Sequence, residues 1–347
     1  DASAWPVDQQ VDYHLVRAEM NAHEFFHKVH RPWVRDPGFY SMLAGDAGAS
    51  IDAPAFFAPV KKIIDAARSG SLQVSLNARE HQVLATTLSS IPQLYQSARA
   101  NLTAPAADLA DLALRNLPRE REIYLTVVSL LKDNHADLAG TAMAAAEAVT
   151  SYIDWIREYR DEMAPVAGLG RDNYSWWLRN VQLFPWDYQQ SNRVIMTEYD
   201  RVITFLKFEE HRNRQLPPLD VAMTAGDWNA RLKHALEYVV EFLRDKEIMT
   251  IDEWVDPMDY YRKEARLEST RGEADVELLP ENSSIDTKVR QREILPGETH
   301  EYIGHMLDDQ RKTQLDLSPI RRADPKFNME KMRLEGWAVA LEELLMQ

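Results

Sequence analysis

The chain has 347 residues, 45% hydrophobic and 27% charged, an ordinary globular composition that excludes disorder for the bulk of the chain and is ample for a large core. With 40 basic against 55 acidic residues the formal charge is −15, which argues against nucleic acid or an anionic membrane as a partner because both would repel it. There is no cysteine, so disulfides, thiolate metal ligands and a cysteine nucleophile are excluded, and no apolar run approaches the ~18 residues of a membrane span.

The predicted elements are helical nearly throughout. Residues 11–29 carry Leu15, Ala18, Ala22, Phe25, Phe26 and Val29 on one face, and Pro32 closes the helix. This helix contains a literal H-E-x-x-H, His23-Glu24-Phe25-Phe26-His27, with His30 further on, a spacing that can hold zinc. The context argues otherwise. No glutamate follows before Glu80, the Gly and third His of the metzincin pattern are missing, and the two phenylalanines draw this face toward a core. The segment reads as a histidine stripe flanking a packed face, with an adventitious second metal at His23 and His27 as the alternative.

Helices follow at 54–67 and at 77–100, the latter with Asn77 as N-cap. Residues 118–131 and 136–162 form a long pair, the second rich in Ala and suited to close helix contact, with Trp155 and Tyr159 as core or interface aromatics. Residues 171–183, 188–214 and 226–246 continue the series. Short connections between sequential helices predict an antiparallel helical assembly. The mixed charges of 118–122 and 207–214 read as solvated faces. No Gly-rich phosphate loop, repeat of fixed period or Gly-x-Ser-x-Gly elbow is present.

The pattern changes near Ile251. Residues 251–270 are helical in part, but Ala274-Asp-Val-Glu-Leu-Leu-Pro280 alternates like a short strand. Such a strand could pair with extended substrate backbone, or be a plain surface hairpin or loop.

The chemistry lies at Ile294-Leu-Pro-Gly-Glu-Thr-His-Glu-Tyr-Ile-Gly-His-Met-Leu307 and at Leu334-Glu-Gly-Trp-Ala-Val-Ala-Leu-Glu-Glu343. A catalytic zinc takes three protein ligands and leaves a fourth position for water. Here the ligands are read as His300, His305 and Glu335, with Glu301 as the catalytic base. The two histidines are five residues apart rather than four, which on an ideal α-helix sets them roughly 140° apart, too far round to share an ion. A π-bulge absorbs the extra residue and swings His305 back, and Gly304 is expected to ease that distortion. Gly336 is expected to let the second helix come close. Glu342, two turns after Glu335 and on the same face, is the expected partner that orients a ligand histidine.

These residues resemble a large, mostly bacterial group, the domain of unknown function 885 family, regarded as related to zinc peptidases. The resemblance rests on Pro296-Gly297, on His300-Glu301 with His305, and on Glu335-Gly336-Trp337-Ala338 with a nearby Glu. It extends less specifically to Gly170-Arg-Asp-Asn-Tyr174-Ser-Trp-Trp-Leu178. It implies a metallopeptidase, and it implies later segments, beyond Gln347, that polarise the substrate carbonyl.

The expected fold is therefore mainly α: a large antiparallel helical assembly with a small β element before the metal-binding helix, zincin-like. Residues 1–250 are the scaffold and 251–347 the metal-site segment of the same large domain. The chain opens at Asp1 without an initiator Met and stops at Gln347 inside a helical pattern, so it reads as part of a longer protein. A removed leader would make it periplasmic or secreted, with a cytoplasmic location as the alternative. The expected cofactor is Zn2+ and the expected partner a peptide substrate. A zinc amidase or esterase, and a non-catalytic helical binding protein with a structural metal, are the competing readings.

Overall fold

The computed structural model describes residues 2–42, 57–68, 75–265, 285–315, 317–323 and 331–345. Among them the chain is mainly helical, and extended pairing is confined to an isolated parallel bridge between Ala106 and Ala164. The expected β element at 274–280 lies outside the described residues.

In chain order, α1 (Val7–Phe25) runs into a π-turn (Phe26–His30), followed by α2 (Pro32–Arg35), α3 (Ala58–Arg68), α4 (Ala78–Asn101), α5 (Ala107–Leu131) and α6 (Ala136–Tyr159). Then come α7 (Arg171–Asn180), α8 (Tyr188–Asn213), α9 (Ala225–Asp245), α10 (Pro257–Glu264), α11 (Ile285–Arg290) and α12 (Leu295–Glu298). A π-helix (Thr299–Met306) leads to α13 (Leu307–Gln314), α14 (Pro319–Arg322) and α15 (Lys331–Leu345). No described helix is long and apolar enough to cross a membrane.

These elements form two compact units, one of residues 24–173 and one of residues 1–23 with 174–347. Leu232, Leu236, Val239 and Leu243 of α9 share one core with Tyr302, Ile303, Leu307 and Leu341, so apolar burial ties the chain before residue 250 to the metal-site segment after it.

In the unit 24–173, α4, α5 and α6 pack together around Leu88, Ile91, Leu117, Val127 and Val149. The short connection between α5 and α6 makes them antiparallel neighbours. Buried Ala139, Ala142, Ala145 and Ala146 line α6, as its Ala-rich composition suggests. Trp155 stacks on Tyr152 with centroids 5.7 Å apart. Asn77 caps α4 as expected: its Oδ1 accepts from Glu80 N at 3.0 Å, and its own N donates to Glu80 Oε2 at 3.1 Å, a capping box. The start expected at Pro118 is corrected, since α5 begins at Ala107 and carries Pro118 inside it. Burial of Ala107, Ala110, Ala113 and Leu117 along the same face outweighs a proline cost of about 3 kcal/mol.

A buried polar knot sits within this core. Glu120 is fully buried and accepts from Ser41 Oγ at 2.5 Å, Tyr95 OH at 2.7 Å and Met42 N at 3.1 Å. Burial pushes its carboxyl above the usual range even though these donors favour the charged form.

Candidate metal centre

His300 and His305 stand on the π-helix, where the backbone N–H of Leu307 bonds to the carbonyl of Tyr302, five residues back. That bonding returns the chain to the same face after five residues rather than four. The expected local π-bulge thus extends over the whole segment Thr299–Met306. Its consequence is direct: the two rings meet edge-on with centroids 4.6 Å apart, and their Nε2 atoms are 2.9 Å from each other.

Glu335 reaches this pair from α15. Its Oε2 is 3.5 Å from His300 Nε2 and 3.6 Å from His305 Nε2, and among the described residues these three form the group of His and carboxylate side chains with metal-binding spacing. A tetrahedral zinc with ligand bonds of 2.0–2.1 Å separates its ligand atoms by about 3.3 Å, and the observed edges lie on both sides of that value. Two imidazole nitrogens and one carboxylate oxygen are also the donor types such an ion takes. The residues present fit the group. The histidine side chains are 21% and 26% exposed and that of Glu335 is 57% exposed, so the carboxylate side of the triangle is open to solvent.

Glu342 accepts or shares a hydrogen bond with His300 Nδ1 at 2.5 Å. A proton on Nδ1 leaves the Nε2 lone pair directed at Glu335 and His305, the tautomer a metal ligand needs. Glu335, Ala338 and Glu342 follow one another at helical spacing and form one stripe of α15 that faces the π-helix. Glu301, directly after His300, is partly buried.

The glycines act differently from expectation. A Cβ on Gly304 would lie 2.5 Å from Ala338 Cβ and 2.8 Å from Ala338 Cα, so Gly304 is there for the close approach of α15 as well as for any backbone distortion. Gly336, by contrast, has nothing within 4 Å of where a Cβ would stand. The role assigned to it in the helix approach belongs to Ala338, which is fully buried. Arg333 fixes the start of α15 to α13 with two bonds to Asp308, at 3.0 and 2.8 Å. On the other flank Glu343 pairs with Arg201 of α8.

The other histidine motif is an exposed stripe beside partly buried aromatics, with His23, His27 and His30 all exposed. His27 is exposed and meets Phe26 and Trp33 with ring centroids 5.4 and 5.3 Å away, while His30 lies 5.5 Å from Phe26. The π-turn at Phe26–His30 ends at Arg31, whose φ is 46° and whose N–H bonds to the Phe26 carbonyl.

Residues that sequence reasoning missed lie just upstream. Glu298 is 3% exposed and accepts from Arg290 Nη2 at 2.9 Å. Burial raises its carboxyl pKa against the pull of Arg290 and Tyr260. Only Pro296-Gly297 hinted at this spot, and nothing in the spacing of Tyr260, Arg290 and Glu298 marks them as partners.

No known protein-family model matches the chain, and no curated protein matches it. Among solved structures it is similar to one described as "a putative lipoprotein of unknown function" from Shewanella oneidensis, with a TM-score of 0.65 and 15% identity, covering 100% of this chain and 67% of the other. At that identity the likeness is one of fold.

Proposed function

We propose that the protein is a zinc-dependent hydrolase that cleaves peptide bonds in short peptides, with a zincin-like arrangement of its site. The observation that carries this reading is the triangle of His300 Nε2, His305 Nε2 and Glu335 Oε2, with edges of 2.9, 3.5 and 3.6 Å. The resemblance of its motifs to the domain of unknown function 885 family points the same way. His300, His305 and Glu335 would hold the ion. When bound, zinc supplies a Lewis acid and a water of lowered pKa. The Glu301 carboxylate takes the proton from the attacking water and delivers it to the departing amine nitrogen. Glu342 holds the His300 ring by Nδ1, keeping Nε2 free to bind. An extracytoplasmic location accords with the description of the fold neighbour as a lipoprotein.

A second reading draws on α8. Ser191 is its one buried residue among those described, whereas Ile195, Tyr199, Val202 and Leu206, along one face, are 62%, 58%, 47% and 46% exposed. An apolar helix face so open favours a helical binding protein whose metal is structural.

Digestion of a peptide library by wild type and by Glu301→Gln, with zinc content measured for both, separates these. The hydrolase reading expects cleavage by wild type and its loss in a variant that keeps zinc. Cleavage at wild-type rates by Glu301→Gln would refute the role given to Glu301. Stoichiometric zinc without cleavage by either protein would favour the binding reading, and cleavage confined to esters or non-peptide amides would move the substrate class.

A further inference from the structure

The eight residues Thr299–Met306 have two ways to wind. As an α-helix they would set His300 and His305 roughly 140° apart; as the observed π-helix they bring the two Nε2 atoms to 2.9 Å. Long π stretches are rare because the α alternative is ordinarily preferred. Something outside these residues must therefore select the winding.

The selecting contacts converge on Glu298, two residues before His300. Glu298 is 3% exposed and takes Arg290 Nη2 at 2.9 Å, and its charge adds to burial in raising the pKa of the nearby Tyr260 hydroxyl. The Tyr260 ring also stacks on Tyr302, inside the π-helix, with centroids 5.1 Å apart and an interplanar angle of 26°. Tyr260 thus stacks on a residue within the π-helix, and its hydroxyl lies near the carboxylate that precedes that helix. Arg290 lies flat over Gly297, where a Cβ would stand 2.7 Å from Nε and 3.1 Å from Cγ and Cδ. The segment that follows Arg290 is itself anchored: Ala222 N donates to Gln291 O at 2.8 Å, and Arg231 Nη1 donates to Arg292 O at 3.3 Å.

The pair is buried on one side, with the Glu298 side chain 4% and the Arg290 side chain 30% exposed, and such a pair is a poor way to gain stability, since apolar residues of the same volume commonly do as well. Its best-attested use is to fix registry, because a directional pair cannot tolerate a slip that apolar packing accepts. We propose that the Arg290–Glu298 pair, with Tyr260, is the positioning device that holds the helix in its π winding and so keeps His305 beside His300. The inference rests on the metal reading above.

The test compares wild type with Glu298→Gln, Tyr260→Phe and Gly297→Ala, none of which alters a proposed ligand. Zinc affinity is measured by competition with a chelating dye, the visible spectrum is recorded with Co2+ in place of zinc, and metal-free protein is followed through thermal unfolding. Partners of metal ligands change affinity about 10- to 100-fold when altered. That loss is expected for Glu298→Gln and Gly297→Ala, with a weakened cobalt visible band and metal-free protein that still unfolds cooperatively. Tyr260→Phe, which keeps the ring on Tyr302, is expected to lose less. Wild-type affinity and spectrum in Glu298→Gln would overturn the inference. Should that variant not fold, the same result in both Tyr260→Phe and Gly297→Ala overturns it. Absence of zinc binding by wild type would remove the metal reading itself, a different outcome from equal binding by all four proteins.

Discussion

Replacing Gly304 by Ala probes the contact on which the two halves of the candidate site depend. The new Cβ would start 2.5 Å from Ala338 Cβ and 2.8 Å from Ala338 Cα, against about 3.5–4.0 Å for relaxed carbon contacts. Because the obstruction includes helix backbone, α15 must move away by about 1 Å. Ala338 lies between Glu335 and Glu342 on one stripe, so the shift carries both carboxylates away from the histidines. Overpacking of this kind costs about 1–3 kcal/mol, and a displaced ligand and ligand partner should weaken zinc binding by at least the 10- to 100-fold seen for partner changes alone. The assays are urea unfolding of metal-free protein and chelator competition for zinc. Adding Ala338→Gly removes the 2.5 Å clash but leaves the one at Cα and costs about 1 kcal/mol in helix propensity, so rescue should be partial. Unchanged stability together with unchanged zinc affinity in Gly304→Ala would refute the packing argument.

Glu342→Gln keeps an acceptor for His300 Nδ1 but removes its charge, and zinc affinity is expected to fall about 10-fold; a titration indistinguishable from wild type would show that the 2.5 Å contact does not support the ligand. Replacement of both His23 and His27 by Ala should leave zinc stoichiometry unchanged by elemental analysis, whereas a lost equivalent would assign metal to the first helix. For Glu120, burial raises the folded-state carboxyl pKa, so the folded form holds its proton more tightly than the unfolded chain. Its contribution is full below the unfolded value, about 4.3, and is lost as pH rises through the higher folded value. The stability of wild type relative to Glu120→Gln should therefore decline with rising pH across that window in urea unfolding, and a pH-independent difference would contradict the assignment.

By itself the sequence determined the helical character, because apolar residues recur at helical spacing through nearly every segment, and it determined where α4 starts, because Asn77 and Glu80 cap locally. It also picked out His300, His305 and Glu335, which the structure brings within 2.9–3.6 Å of one another, and the need for a π-turn: a five-residue interval between His300 and His305 cannot serve one ion on an α-helix. What only the tertiary structure decided is how that costly winding is held. The roles of Gly304 and Ala338 depend on a helix 34 residues away in sequence reaching contact distance, and Tyr260, Arg290 and Glu298 meet because three separate elements converge. The extension of α5 back through Pro118 and the core that joins α9 to the π-helix have the same origin. Local propensity and spacing are written within a few turns of chain, whereas burial and close approach depend on residues distant in sequence, and where the two compete the apolar area removed from water prevails.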